Sequence, residues 1–156
     1  MSRVAVTVSA EGVRSPVAAR LLARAAECVL RAEGVRGAMV SIALVSRVRI
    51  ASLNARHLRR RGSTDVIAFA FVPERREQKT VKGEGIVGDI YIAPDVARSN
   101  ARRLGVSPRE ELVRLVVHGV LHVLGYEHPD GAARERSAMW RRQEALLARA
   151  LRGAAA

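Results

Sequence analysis

Apolar and polar residues alternate from Arg3 to Ser9, with Val4, Val6 and Val8 on one side. A period of two predicts a half-buried strand, not the continuous apolar run of a secretory signal. The period lengthens after Ser15-Pro16, where Val17, Leu21, Leu22, Ala25, Val29 and Leu30 follow helical spacing as far as Gly34. Ser15 is the expected N-cap of this helix, with Pro16 at its first position. Alternation returns from Ala38 to Val45 through Val40, Ile42 and Leu44, and a short helix is expected from about Arg47 to Leu58. Val66 to Val72 and Ile86 to Ala93 read as strands flanking a polar, glycine-bounded stretch from Pro73 to Gly85. That stretch predicts a mobile hairpin loop rather than a domain linker. Pro94 to Leu104 reads as a helix, and Ser107-Pro108 caps another that runs to Leu124 and is almost all apolar from Val113 onward. After a turn at Pro129-Asp130-Gly131, a last amphipathic helix is expected from about Ala132 to Leu151, with Met139, Leu146, Leu147 and Leu151 on its apolar side. The predicted order is β-α-β-α-β-β-α-α-α.

The chain's 156 residues are enough for one domain, 1–156, with a core that needs no disulfide. Cys28 is the sole cysteine, which excludes an internal disulfide and suits a reducing cytoplasm; its apolar neighbours predict a core thiol. No apolar run has the length needed to cross a membrane, so no membrane partner is expected. Lys and Arg number 27 against 15 Asp and Glu, a net charge of +12. Such an excess points to a polyanion, most simply nucleic acid, although a solvated basic surface would have the same composition.

The candidate chemistry lies in Val117 to His128. His118 and His122 are four apart and share one helix face; Gly125 can end the helix, and the chain can then turn back to bring His128 to the same point. Two imidazoles on a mostly buried helix need partners, because an unpaired buried polar group costs about 1–3 kcal/mol. Three converging imidazoles suit a tetrahedral Zn²⁺ with one position left for water. Gly119 stands where the zinc-protease pattern H-E-x-x-H has its glutamate base, which argues against a standard metalloprotease. A second informative run, Leu53 to Phe69, contains a basic turn with Arg56, Arg59, Arg60 and Arg61. Clustered guanidinium forks suit phosphates, and a solvated helix end favoured by the macrodipole explains the same charge.

Read as H-G-x-L-H-x-x-G-Y-E-H, residues 118–128 closely resemble the signature of the YbeY family, bacterial zinc-dependent endoribonucleases of rRNA maturation. Leu53, Asn54, Thr64, Asp65, Val66 and Phe69 match a second motif of that family, and Gly88-Asp89-Ile90, Met139, Gln143-Glu144 and Leu147 match further ones. The resemblance implies an α+β fold, a small mixed β-sheet packed by helices with the metal site on a central helix. It implies one Zn²⁺ per chain on His118, His122 and His128, and cytoplasmic cleavage of single-strand-type RNA in rRNA processing and ribosome maturation. RNA and ribosomal subunits, not DNA, are then the expected partners. The family's arginine near the zinc aligns with Leu58, so Arg59, or else Arg56, is the candidate to take over its catalytic work, with Arg56, Arg60 and Arg61 as RNA contacts. His57 falls at the motif's aromatic position and is expected to pack or touch RNA. Gly88 and Asp89 suggest an edge strand that meets substrate or supports a ligand histidine. Met139 is expected in the helix core or as a floor beneath the zinc. Two other readings fit the same residues: a metal hydrolase of peptide or small substrates, and a non-catalytic RNA- or ribosome-binding assembly factor with structural zinc.

Overall fold

The computed structural model describes residues 3–57, 64–71 and 83–155. In chain order these form β1 (Arg3–Ala10), α1 (Ala19–Ala32), β2 (Gly37–Leu44), α2 (Arg47–His57), β3 (Val66–Phe71), β4 (Ile86–Ile92), α3 (Pro94–Leu104), α4 (Pro108–Val123), a 3₁₀ turn (Gly131–Arg136) and α5 (Ala138–Ala155). The class is the expected one, α+β with a mixed four-stranded sheet. Its strand order is β1-β2-β4-β3; β1, β2 and β4 are parallel and β3 runs antiparallel to β4. Among the described residues no helix is long and apolar enough to cross a membrane.

Helix α4 is the central element. It packs on β3 and β4 and is covered by α1, α3 and α5. Its polar side chains are few enough that Leu112, Val113, Leu115, Val116, Val117, Val120 and Leu121 are all buried. Ser107 caps it, its Oγ accepting from the Glu110 N–H at 3.0 Å. Two glycines set how closely it lies on the sheet. A Cβ at Gly119 would come within 2.8 Å of Ile90 Cγ2, and one at Gly88 within 2.5 Å of Val123 Cγ1. The absent glutamate therefore has a steric cause: position 119 faces β4, with no room for any side chain.

Four expectations are corrected. Helix α1 begins at Ala19, not at Pro16, and its N-cap is Ala18 with no side-chain hydrogen bond. The Ser15 hydroxyl instead closes a local turn, accepting from Val17 N at 3.1 Å and donating to Val17 O at 2.7 Å. The last helix is also broken. Ser137 is extended, at φ −75° and ψ 158°, and its Oγ accepts from Trp140 N at 3.1 Å, so α5 starts afresh at Ala138. Strand β4 is interior rather than an edge. Asp89 accepts a 2.6 Å bond from Ser41 Oγ, its register partner on β2, and so ties two strands together rather than supporting a histidine. Cys28 is half-buried, not a full core thiol.

Candidate metal centre

His118 and His122 lie one turn apart near the end of α4, their Nε2 atoms 3.0 Å from each other. Gly125, at φ 97°, reverses the chain while Tyr126 N bonds back to Leu121 O at 3.0 Å. His128 thereby returns to the pair, with ring centroids 5.1 Å from His118 and 5.0 Å from His122. One nitrogen from each ring falls within 4.8 Å of the others, an arrangement that suits a metal ion.

The opposite face of each ring is pinned by a carbonyl oxygen. His118 Nδ1 faces Gln143 Oε1 at 2.6 Å, His122 Nδ1 faces Tyr126 O at 2.9 Å, and His128 Nδ1 faces Pro129 O at 3.0 Å. Such oxygens only accept, so each Nδ1 donates its hydrogen, and in the neutral ring each Nε2 carries a bare lone pair. Two lone pairs facing at 3.0 Å repel unless a cation joins them. Nitrogens on a tetrahedral zinc with Zn–N of about 2.0–2.1 Å lie about 3.3–3.4 Å apart, so the pair is close to the spacing zinc needs. The donor set fits: three imidazoles, each oriented through its second nitrogen, as in metal sites generally. Burial, above all, pulls His118 down to about 3; the Gln143 bond opposes this, and the neighbouring charges of His122, Arg134 and His128 add to it. His122 is lowered for the same first reason and then by His128. Both rings are therefore neutral, the form that ligates, at physiological pH.

Glu33, at the end of α1, braces the loop that carries His128. It accepts 2.7 Å from the Tyr126 hydroxyl and 2.6 Å from Arg142 Nε. Burial pushes the Glu33 carboxyl up, but these two bonds and the Arg142 charge outweigh it and hold the carboxyl below its usual range. Tyr126 thus links Glu33 through its side chain to His122 through its carbonyl.

A groove of about 630 Å³ opens over the three histidines. Its other wall is the terminal strand β3, through Val66, Ala68 and Ala70, and Asp65 and Arg134 lie on its rim. Asp65 is held by Asn100 Nδ2 at 3.1 Å.

The histidines are the expected residues that the fold brings together. Arg56 is exposed near the end of α2 and does not line the groove. Arg59, Arg60 and Arg61, with Leu58, lie outside the described residues. His57 packs edge-on against Phe69, centroids 5.4 Å apart. Met139 is buried in the main core. Three residues at the site had no expected role there: Gln143, Glu33 and Arg134. A signal existed for Gln143, a polar residue among Met139, Leu146 and Leu147 on the apolar side of α5, but nothing local told which histidine it would meet.

A model of the endoribonuclease YbeY family matches residues 7–151. The chain belongs to the YbeY family. The endoribonuclease YbeY of Frankia casuarinae is 38% identical over 152 residues, covering 93% of this chain and 74% of its own. That of Parafrankia sp. is 36% identical over 115 residues, 71% of either chain. Among solved structures, TM1509 from Thermotoga maritima, determined in solution, superposes with a TM-score of 0.61 at 25% identity, over 96% of this chain and 91% of that one. The mixed sheet packed by helices is thus a fold shared with that solved structure.

Proposed function

We propose that the chain is a metal-dependent endoribonuclease in which His118, His122 and His128 hold one Zn²⁺, and that it acts in the cytoplasm on single-stranded segments of rRNA during ribosome maturation. The observation that carries the reading is the convergence of three imidazoles, each with its Nδ1 set against a carbonyl oxygen. Family membership supports ribonuclease activity over peptide hydrolysis, and the net charge of +12 supports a polyanionic substrate.

When bound by His118, His122 and His128, zinc would supply Lewis-acid chemistry for the phosphodiester and for water activation near neutral pH, so the site would not need a glutamate at position 119. The remaining work belongs to the chain. Gln143, Tyr126 O and Pro129 O fix the tautomers and the ring directions. Gly119 lets α4 approach β4, which sets the depth of the histidines beneath the groove. The wall of β3 gives an extended strand a surface to lie along, and the basic exterior holds its phosphates in a salt-dependent way.

The test pairs metal content with cleavage. Wild type and His122→Ala are purified, zinc per chain is counted, and both are incubated with rRNA fragments. One zinc per wild-type chain, with cleavage that vanishes in a folded mutant, is the expected result. Zinc and RNA affinity without cleavage would instead make this an assembly factor with structural metal, and absence of zinc would remove the reading altogether.

A further inference from the structure

Arg134 sits on the 3₁₀ turn that follows the last histidine. The turn is held from its far end: the backbone N and the Oγ of Ser137 both donate to Arg134 O, at 3.1 and 2.6 Å. The break in the final helix therefore has a consequence, because it aims this arginine back at α4. Its side chain lines the histidine groove and also the adjoining cavity of about 130 Å³; Asp65 and His118 are the other residues shared by both. Arg134 thus stands where the two spaces meet, beside a histidine of the triad.

Among the described residues no carboxylate is committed to its guanidinium. Its Nε is buried without a hydrogen-bond partner. The contrast with Arg114 and Arg142 is sharp, since both are committed to glutamates at 2.6–3.3 Å. Buried polar atoms are nearly always paired, so an orphaned donor calls for a ligand or a cost. A cation beside three imidazoles that suit a dication adds repulsion which only an anion can relieve. A phosphodiester has the required shape: its two non-bridging oxygens match a guanidinium fork.

We propose that Arg134 is a catalytic arginine of this protein, gripping a non-bridging oxygen of the scissile phosphodiester at the histidine site. The proposal rests on the ribonuclease reading for its substrate, but its anion site stands on Arg134 itself. Arg134 neutralises charge that grows on the phosphoryl oxygens in the transition state, while the histidines face the same group from the α4 side. Arg56 does not line the groove, which leaves Arg134 as the described arginine that does.

The experiment uses the full chain loaded with zinc, as wild type, Arg134→Ala and Arg134→Lys. Single-turnover cleavage of an rRNA fragment should fall about 100-fold or more in Arg134→Ala, the loss seen when one preorganised donor is removed. Lysine should recover only part of it, because a point charge lacks the fork. Zinc per chain should stay at the wild-type level. Inorganic phosphate, titrated calorimetrically, should bind wild type about tenfold or more tightly than Arg134→Ala, as expected for one hydrogen bond to a charged group. Equal phosphate affinity overturns the proposal whether or not the wild type cleaves RNA. So does cleavage by Arg134→Ala within a few-fold of wild type, or full rescue of that variant by excess zinc, which would show that Arg134 serves the histidines instead. A wild type that binds phosphate through Arg134 but cuts no RNA would retire the ribonuclease reading alone.

Discussion

In its first half α4 carries Glu110, Glu111 and Arg114; in its second it carries His118 and His122. Both sets lie on one largely buried helix, yet they are satisfied in different ways. Arg114 donates to Glu110, Glu111 and Glu144 at 3.3, 2.8 and 3.2 Å, so its fork is shared out entirely among protein carboxylates. The histidines are satisfied on one side only: each Nδ1 has its oxygen, and the two Nε2 atoms face each other at 3.0 Å. A buried polar group that the protein completes holds the fold together, as Arg114 joins α4 to α5. One that the protein leaves half-complete, with the open half turned toward a groove, is set up for something from outside. Arg114 and Arg134 repeat the contrast in a single residue type.

The comparison breaks most visibly at His122. His122→Ala should abolish zinc binding and RNA cleavage together while the metal-free protein keeps its stability to within about 1 kcal/mol, because the lost bond to Tyr126 O is offset by relief of the facing Nε2 lone pairs. Thermal melts with and without chelator check this; a large loss in the apo protein would make the pair structural.

Arg114→Met should do the reverse, costing about 3–5 kcal/mol by leaving Glu111 buried without its counter-charge, while a chain that still folds keeps its zinc. The loss should shrink in mildly acidic buffer. Burial, first, raises the Glu111 carboxyl above its unfolded value, with the Arg114 bond and charge working against it. The folded state then holds that proton more tightly than the unfolded one. The resulting stabilisation is present below the unfolded value and is lost as pH rises through the folded one. Removing Arg114 raises that folded value further, so the penalty grows toward neutral pH. Urea titrations at two pH values measure it.

Gln143→Ala tests the brace behind the first histidine. Zinc affinity should fall about 10- to 100-fold, read by competition with a chromophoric chelator, and Gln143→Glu, which keeps an acceptor for His118 Nδ1, should restore it. The smallest effect belongs to Ser107→Ala at the far end of α4, about 1 kcal/mol of stability with no change in zinc affinity. A shift in zinc affinity there would mean that the two halves of the helix are coupled after all.

Much of this was legible along the chain because its causes are local. Valine alternation marks β1, Ser107-Pro108 marks the start of α4, and the spacing of His118, His122 and His128 around Gly125 marks the centre. Where local signals competed, they misled. Ser15-Pro16 looked like a helix start, but its hydroxyl found Val17; the pattern after Gly131 looked like one helix, but Ser137 capped a new one. Gly88-Asp89 looked like an edge because glycine weakens strands, whereas the glycine makes room for Val123 of α4 against an interior strand.

By itself the sequence determined the element order, the mixed α+β class and the three imidazoles, since helical periodicity and a glycine turn suffice to bring residues so near in sequence into one place. Only the tertiary structure decided which group orients each ring, why position 119 holds no side chain, and which arginine reaches the groove. Gln143 is 25 residues from His118, Glu33 is 93 from Tyr126, and Ile90 meets Gly119 across the helix–sheet interface. Such partners are chosen by how helices and sheet close on one another, and no period along the chain encodes them.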